Sequence, residues 1–511
     1  MRAGRRIWYM ALCLSLLLLT ACSGTTEPVA PEPTTPTTAA DGGGTEPEKA
    51  LTFTLAYSRS DSLDPFKMTS RVNRELSGLL YEGLTAPDES MHAQNVLAES
   101  VQTVGTTVTV TLRADAVFSD GSAVTAADVV TSFEAAREAE AYRELLRGVD
   151  SAKAAKDDAR TVTFTWKEPE SYAAACLSFP VIRTRADGTV LGSGPFVFES
   201  TPRLVANPHA PAGSVTEVRL LDLVDDDSLA KGLELGNLTY FFSNLADGTV
   251  PRVNAATAAV PLNCLVFLGV NSAHSSMANA ETRAALSLAL DRARVADGAF
   301  GGYAEAATTV FPPAFVSGET VTALAADADR DAAKAKLAAQ GYTTPDTAVT
   351  TAARSGKKPT TLSLVLLVNG DNGFKSAMAE LVRDQLQAVG VSVTVQSLSF
   401  SDYQSALKRG QYDLYIGEVR LGANMDLSPL LTKGGAAAYG VAGDSAAAAS
   451  YAAFRAGQAS LADFTAAFAA DLPLIPVCWR SGMAAYNRAL TKVTPTAYSV
   501  YAGLQNWQSG N

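Results

Sequence analysis

Histidine is the scarcest resource of this chain. His92, His209 and His274 are the three among 511 residues, and their wide separation matches no ligand spacing of a zinc or nickel site. No metal and no cofactor is therefore expected, and nickel would have to arrive as a chelate. A Walker loop, a Gly-x-Ser-x-Gly elbow and a zinc-type histidine pair are absent too. Ser-x-x-Lys occurs at Ser228/Lys231, Ser355/Lys358 and Ser405/Lys408 without a Lys-Thr-Gly partner, the pattern of chance matches. No catalytic residue is assigned, and the chain reads as a non-enzyme. Basic residues are also in deficit, 41 against 52 acidic ones for a net charge of -11. A surface of that sign repels phosphate backbones, which excludes nucleic acid as a partner. Residues 10–19 form an uncharged apolar run, too short for the roughly 20 residues that cross a bilayer. Cysteine is sparse. Beyond Cys13 and Cys22 there remain Cys176, Cys264 and Cys478, which allow either one disulfide and a free thiol or three buried small apolar side chains. Each lies in or beside an apolar segment, which suits the second reading.

The first fifty residues are the most explicit part of the sequence. Arg2, Arg5 and Arg6 precede the apolar run, and Leu19-Thr20-Ala21-Cys22 closes it, giving the three zones of a secretory signal. That ending resembles the bacterial lipobox, whose cysteine becomes the acylated first residue. We expect a signal peptide over 1–21 and a lipidated Cys22 opening a tether over 22–50. The tether is rich in Thr, Pro, Glu, Ala and Gly and has no apolar periodicity. A flexible chain of that length spans about 30 Å root mean square. The folded part would then sit outside the cytoplasm, lipid-anchored on the outer face of the cell membrane, or in the periplasm if there are two membranes.

The remaining chain is too long for one simple core, and two or three lobes are expected. Residues 51–57, 106–112 and 161–166 alternate as half-buried strands, and 76–81 reads as helical. Thr125 to Asp128 has the form of a capping box for a helix reaching about Glu140. Residues 192–196 form a Gly/Pro turn. Strand 362–368, helix 374–389, strand 391–395, helix 402–408 and strand 412–417 make a βαβαβ unit, which implies a mainly parallel sheet covered by helices and an α/β class.

A set of short segments in fixed order resembles the bacterial extracellular solute-binding proteins of family 5, the peptide, nickel and oligosaccharide type. They are Leu63-Asp64-Pro65, Leu80-Tyr81-Glu82-Gly83-Leu84, Leu97-Ala98-Glu99-Ser100, Phe118-Ser119-Asp120-Gly121 after Leu112-Arg113, and Thr125-Ala126-Ala127-Asp128-Val129. Further on come residues 192–196, Thr282 to Arg292, Gln411-Tyr412-Asp413-Leu414 and Leu472-Pro473-Leu474-Ile475-Pro476. The resemblance implies a periplasmic-binding-protein-like fold of type II, two α/β lobes with a hinge plus an inserted third lobe. The expected bounds are 51–86 and 181–268 for lobe I, 87–180 for the insertion, 269–476 for lobe II and 477–511 for a return to lobe I. It further implies a substrate-binding component of an ABC importer that captures peptides or peptide-like solutes between closing lobes and delivers them to a permease. The implied partners are a peptide or other small solute, the ABC permease and the membrane lipid, with the receptor itself a monomer. The alternative is a surface lipoprotein of the same fold that senses a ligand or binds a partner protein.

Candidate ligand-binding residues follow from position. Tyr57 and Ser58 end the first strand, where a crevice is expected, and the other reading is a plain edge residue. Asn271 follows the apolar run 265–270 and serves as a hinge or ligand amide, or caps a turn. Residues 416–426 lie where family members build much of the pocket, and dipeptide binders hold an ammonium group on a carboxylate at the position of Ala423. A methyl group there puts simple dipeptide binding in doubt. Glu418 or Asp426 would substitute, Arg420 would take a ligand carboxylate, and Asn424 lies between them. The competing reading pairs Glu418 with Arg420 on the surface. Trp479 and Arg480 follow an expected strand 474–478 and offer an aromatic wall and an anion contact, or core packing and a solvated cation. The leader carries its own test: Cys22→Ala is expected to abolish incorporation of labelled fatty acid, and a variant that still takes up label contradicts the anchor.

Overall fold

Strand Leu51–Tyr57 sends Phe53, Leu55 and Tyr57 into one core and Ala56 into another, the two-faced burial expected of period-2 alternation. It pairs in parallel with Val215–Asp222, and Arg203–Ala206 and Phe196–Ser200 extend this first sheet in antiparallel fashion. The structure, a computed structural model, describes residues 51–200, 202–345 and 360–510. The expected signal peptide, Cys22, the tether and the Ser355/Lys358 pair lie outside those residues. Helix Arg71–Leu80 starts where Ser70 caps it and buries Val72, Leu76, Leu79 and Leu80.

A second sheet, four-stranded and antiparallel, runs in the order Ala98–Val104, Thr107–Leu112, Thr161–Trp166, Val149–Ala154, a meander with its last two strands exchanged in chain order. The Val/Thr alternation works as read: Val108, Val110 and Leu112 face Val162, Phe164 and Trp166 in one cluster. Helix Ala126–Glu138 covers it, opened by the capping box in which the Thr125 hydroxyl and the Asp128 carboxylate serve each other's backbone amides.

The third and largest sheet runs Tyr240–Ser243, Leu474–Tyr486, Ala256–Val270, Leu414–Arg420, Ser363–Asn369, Ser392–Leu398, with Ala304–Ala306 on the side of Leu474–Tyr486. The βαβαβ unit is present, with helices Gly373–Gln387 and Phe400–Arg409 between parallel strands. The sheet is nevertheless mixed, not mainly parallel. Ala256–Val270 is antiparallel to both neighbours, and Tyr240–Ser243 is antiparallel to Leu474–Tyr486. A strand covered on both faces is an unbroken apolar run whichever way it points, so the run 265–270 carried no information about direction. Val266, Leu268, Leu366, Leu414 and Ile416 enter one core, and Leu265, Phe267, Leu367 and Tyr415 the other.

Cys176, Cys264 and Cys478 are all free and buried, so the alternative with a disulfide does not hold. Burial pushes the Cys176 thiol up to about 12 and the Cys264 thiol up to about 11, which keeps both protonated. No helix among the described residues is long and apolar enough to cross a membrane. Ser228 and Lys231 lie on helix Asp226–Glu234, where Lys231 pairs with Glu234. Ser405 donates to the Ser401 carbonyl on an exposed turn of helix Phe400–Arg409, so neither described Ser-x-x-Lys match forms a nucleophile and base.

Arg292 is wholly buried and has no carboxylate partner among the described residues; its guanidinium donates to the Pro476, Ser287 and Ala325 carbonyls and to the Ser287 hydroxyl. It ties helix Arg292–Ala299 to strand Leu474–Tyr486. Arg292→Met would remove four buried hydrogen bonds, and a loss of about 3 kcal/mol or more in unfolding free energy is expected by chemical denaturation of the full chain. A loss below about 1 kcal/mol would contradict that role.

Candidate functional site

Two long strands are shared between apolar cores. In Ala256–Val270, residues Val260, Leu262 and Cys264 belong to the core of the first sheet, whereas Val266, Leu268 and Val270 belong to a core of the large one. Leu474–Tyr486 touches the same two cores through its two faces, with Ile475, Val477, Met483 and Ala485 in the large one and Ala484 in that of the first sheet. Their register slips between Pro261 and Cys264. Pro261 gives no amide to the ladder, and Asn263 takes a left-handed φ of 52°, so the bend is built into the chain at that point. The Asn263 carbonyl accepts from Leu421 N, and its side-chain amide reaches the Tyr498 hydroxyl at 3.0 Å.

Charges gather at this crossing. The register sets Arg420, Cys264 and Arg480 side by side across three strands, with Glu418 one row away on the same face. The Glu418 carboxylate accepts from Arg480 Nε at 3.0 Å and from Lys375 Nζ at 3.2 Å. Lys375 stands in the first turn of helix Gly373–Gln387, whose positive end also faces this carboxylate's neighbourhood. Burial opposes the charge on Glu418, but Lys375 and Arg480 outweigh it and hold its carboxyl below the usual range. The small Cys264 lets Glu418 and Arg480 meet over the intervening strand. Arg480 also donates to the Asn244 carbonyl. The surface pair of Glu418 with Arg420 is therefore not formed. Arg420 is exposed, and its guanidinium donates to the Ala497 carbonyl at 2.9 Å.

The other expected residues are distributed around this centre. Tyr57 is buried in the core of the first sheet. Ser58 is buried, with its backbone held on both sides by the Asn73 amide. Asn271 donates to the Gly410 and Tyr412 carbonyls and accepts from Ala273 N, the bonds of a turn cap. The strands run further than expected: Leu414–Arg420 includes Glu418 and Arg420, and Leu474–Tyr486 continues past Trp479 and Arg480. Neighbours in a strand face opposite ways, so Trp479 packs with Leu265 and Leu421 while Arg480 turns to Glu418. The Trp479 indole N–H is buried without a partner among the described residues.

Asn424 and Asp426 lie on a seam instead. The Asn424 amide contacts Cys176 Sγ at 3.5 Å. Asp426 pairs with Arg147 at 2.9 Å and accepts from Ser428 and the Tyr451 hydroxyl. Nearby, Arg455 pairs with Glu170 at 2.6 Å and its carbonyl accepts from Ser171 N. These bonds join the chain segment that carries the meander to the segment around 424–455. A half-open hollow of about 240 Å³ along the seam is lined by His92, Tyr172, Phe315, Glu319 and Phe454. It is smaller than the roughly 300 Å³ at which small-molecule sites begin.

The model of the bacterial extracellular solute-binding proteins, family 5 middle region, matches residues 92–436. The chain belongs to this family. The glutathione-binding protein GsiB of Escherichia coli strain K12 is 25% identical over 277 residues, which cover 49% of this chain and 54% of that relative. The chain thus matches about half the length of such curated relatives. Among solved structures, the periplasmic murein tripeptide binding protein MppA in its unliganded open form superposes with a TM-score of 0.72 at 19% identity, covering 87% of this chain and 95% of that one. NikA from Brucella suis with Fe(III)-EDTA gives 0.67 at 18% identity over 90% of this chain and 100% of that one. The oligopeptide-binding protein AppA from Bacillus subtilis with a nonapeptide gives 0.60 at 18% identity over 91% and 100%. The fold is that of type II periplasmic-binding proteins.

Within this family 5 fold, four charged residues near the crossing, Lys375 among them, escaped the sequence reading. Arg71 bonds Glu75 at 2.9 Å and also pairs with Asp226, whose carboxylate accepts from Ser243. Arg71 and Glu75 look in sequence like any exposed helical i,i+4 pair, and nothing local marks them as buried. Burial raises the Glu75 carboxyl from 4.5 to about 7, with Arg71 opposing, Asp226 adding to the rise and Arg420 opposing it from the neighbouring strand. Between those two values the folded chain keeps a proton that the unfolded chain has lost, so stability falls as pH rises. Glu75→Gln removes that dependence. Relative to the native protein it should gain up to about 1.4 kcal/mol per pH unit between about pH 5 and about pH 7 in denaturant titrations, and a gap that does not change with pH contradicts the assignment.

Proposed function

We propose that this protein is the substrate-binding component of an ABC importer, held outside the cytoplasm by lipid on Cys22, and that it carries peptides or peptide-like solutes to the permease. The observation that carries the reading is the pair of long strands shared between two cores, with a charged cluster seated beside their register slip, in a chain of family 5. Relatives named for glutathione, murein tripeptide and a nonapeptide supply the solute class. A receptor of this kind binds, positions and releases, which agrees with the engagement of its described Ser-x-x-Lys residues elsewhere.

In this reading the lobes comprise residues 51–86, 181–268 and 477–511 on one side and 269–476 on the other, with 87–180 inserted in the first. Asn263 and Pro261 mark the hinge, and Glu418, Arg420 and Arg480 face the solute. A solute that touches both lobes only when they close shifts the open and closed populations by its differential affinity. Small-angle scattering of the full chain in detergent is expected to show a smaller protein component when a peptide pool is added. Unchanged scattering at saturating peptide, together with peptide uptake that survives deletion of the gene, would favour a sensor or partner-binding lipoprotein instead.

A further inference from the structure

Resting on the solute-receptor reading, we propose that the crevice selects its solute by a carboxylate taken on Arg420 beside Arg480 and Lys375, and has no receptor for an ammonium group. Among the described residues, the carboxylates on the Arg480 face of the crossing are already occupied by the protein. Glu418 is held by Arg480 and Lys375. Asp226 is held by Arg71 and Ser243, and Glu75 by Arg71. Asp426, the nearest acid to the methyl group of Ala423, is spent on Arg147, Tyr451 and Ser428. Glu305 is registered across from Trp479, which puts it on the face opposite Arg480.

The cations are in excess. Arg71, Arg420, Arg480 and Lys375 face three carboxylates, Glu75, Asp226 and Glu418, and burial leaves Glu75 partly protonated near neutral pH. Arg480 and Lys375 share one carboxylate between them, so the pair retains positive charge. Arg420 is the exposed member, and among the described residues its five guanidinium donors make one hydrogen bond, to the Ala497 carbonyl. A planar fork with free donors in a field of net positive sign is suited to a carboxylate taken in bidentate fashion. An ammonium group would meet that same field with no acceptor of opposite charge free to offset its desolvation. The chemical class is therefore a carboxylate-bearing solute whose amine is blocked, absent or left in water.

Isothermal titration of the full chain with trialanine, N-acetyl-trialanine, trialanine amide and glutarate tests this. The acetylated peptide should bind within about threefold of the free one, the amide should bind about tenfold weaker or worse, and Arg420→Gln should weaken both acids by about tenfold while the thermal midpoint holds. Binding of trialanine that is lost on acetylation, or an amide as tight as the acid, overturns the carboxylate inference and leaves the peptide-receptor reading standing. Glutarate binding that depends on Arg420, with no peptide bound, supports the inference and overturns the peptide reading. No binding by any of the four overturns both.

Discussion

The fold depends on one long antiparallel pairing. Ala256–Val270 and Leu474–Tyr486 stay paired through register slips after Pro261 and after Val266, and they are shared by the core of the first sheet and the cores of the large one. Two bodies joined by a continuous pair of strands can bend but not drift apart, because the backbone bonds persist through the junction. A bulge with a proline and a left-handed asparagine marks the first slip. The same constraint fixes the chemistry, since residues in register at the crossing are forced onto one face whatever their charges. Arg420, Cys264 and Arg480 are neighbours for that reason, and the slim cysteine between two arginines is what lets Glu418 reach over and neutralise one of them.

A second set of contacts works against free movement of the meander. Arg147 with Asp426 and Glu170 with Arg455 hold residues that are more than two hundred positions apart in sequence. Asp426 and Arg455 are largely buried, so breaking either pair would leave a poorly solvated charge, which costs more than an exposed pair returns. Asn424 and Asp426, expected as ligand-binding residues, are committed to this seam.

Much of the architecture was legible because it rests on local rules. The capping box at Thr125, the Val/Thr alternation of Thr107–Leu112 and Thr161–Trp166, and the helix and strand succession from 363 to 420 are set by neighbours a few residues apart. Strand direction was not legible in the apolar run 265–270, where both faces are covered. Glu418, Arg420 and Arg480 were named, but the strands carry them further than the turn signals suggested, and the partner of Glu418 arrives from position 480 and not 420. Glu75, Arg71 and Lys375 gave no signal, because an ion pair on an amphipathic helix looks the same whether the helix end is solvated or buried.

The most direct test of the account is native mass spectrometry of the protein purified from its own host, followed by denaturation and identification of whatever small molecule is released. A carboxylate-bearing peptide or peptide-like solute, retained by the native protein and lost by the Arg420→Gln variant, is the predicted result. A native protein that carries no solute, and that a peptide pool neither binds to nor stabilises against heat, would contradict the claim that this crossing is a solute site.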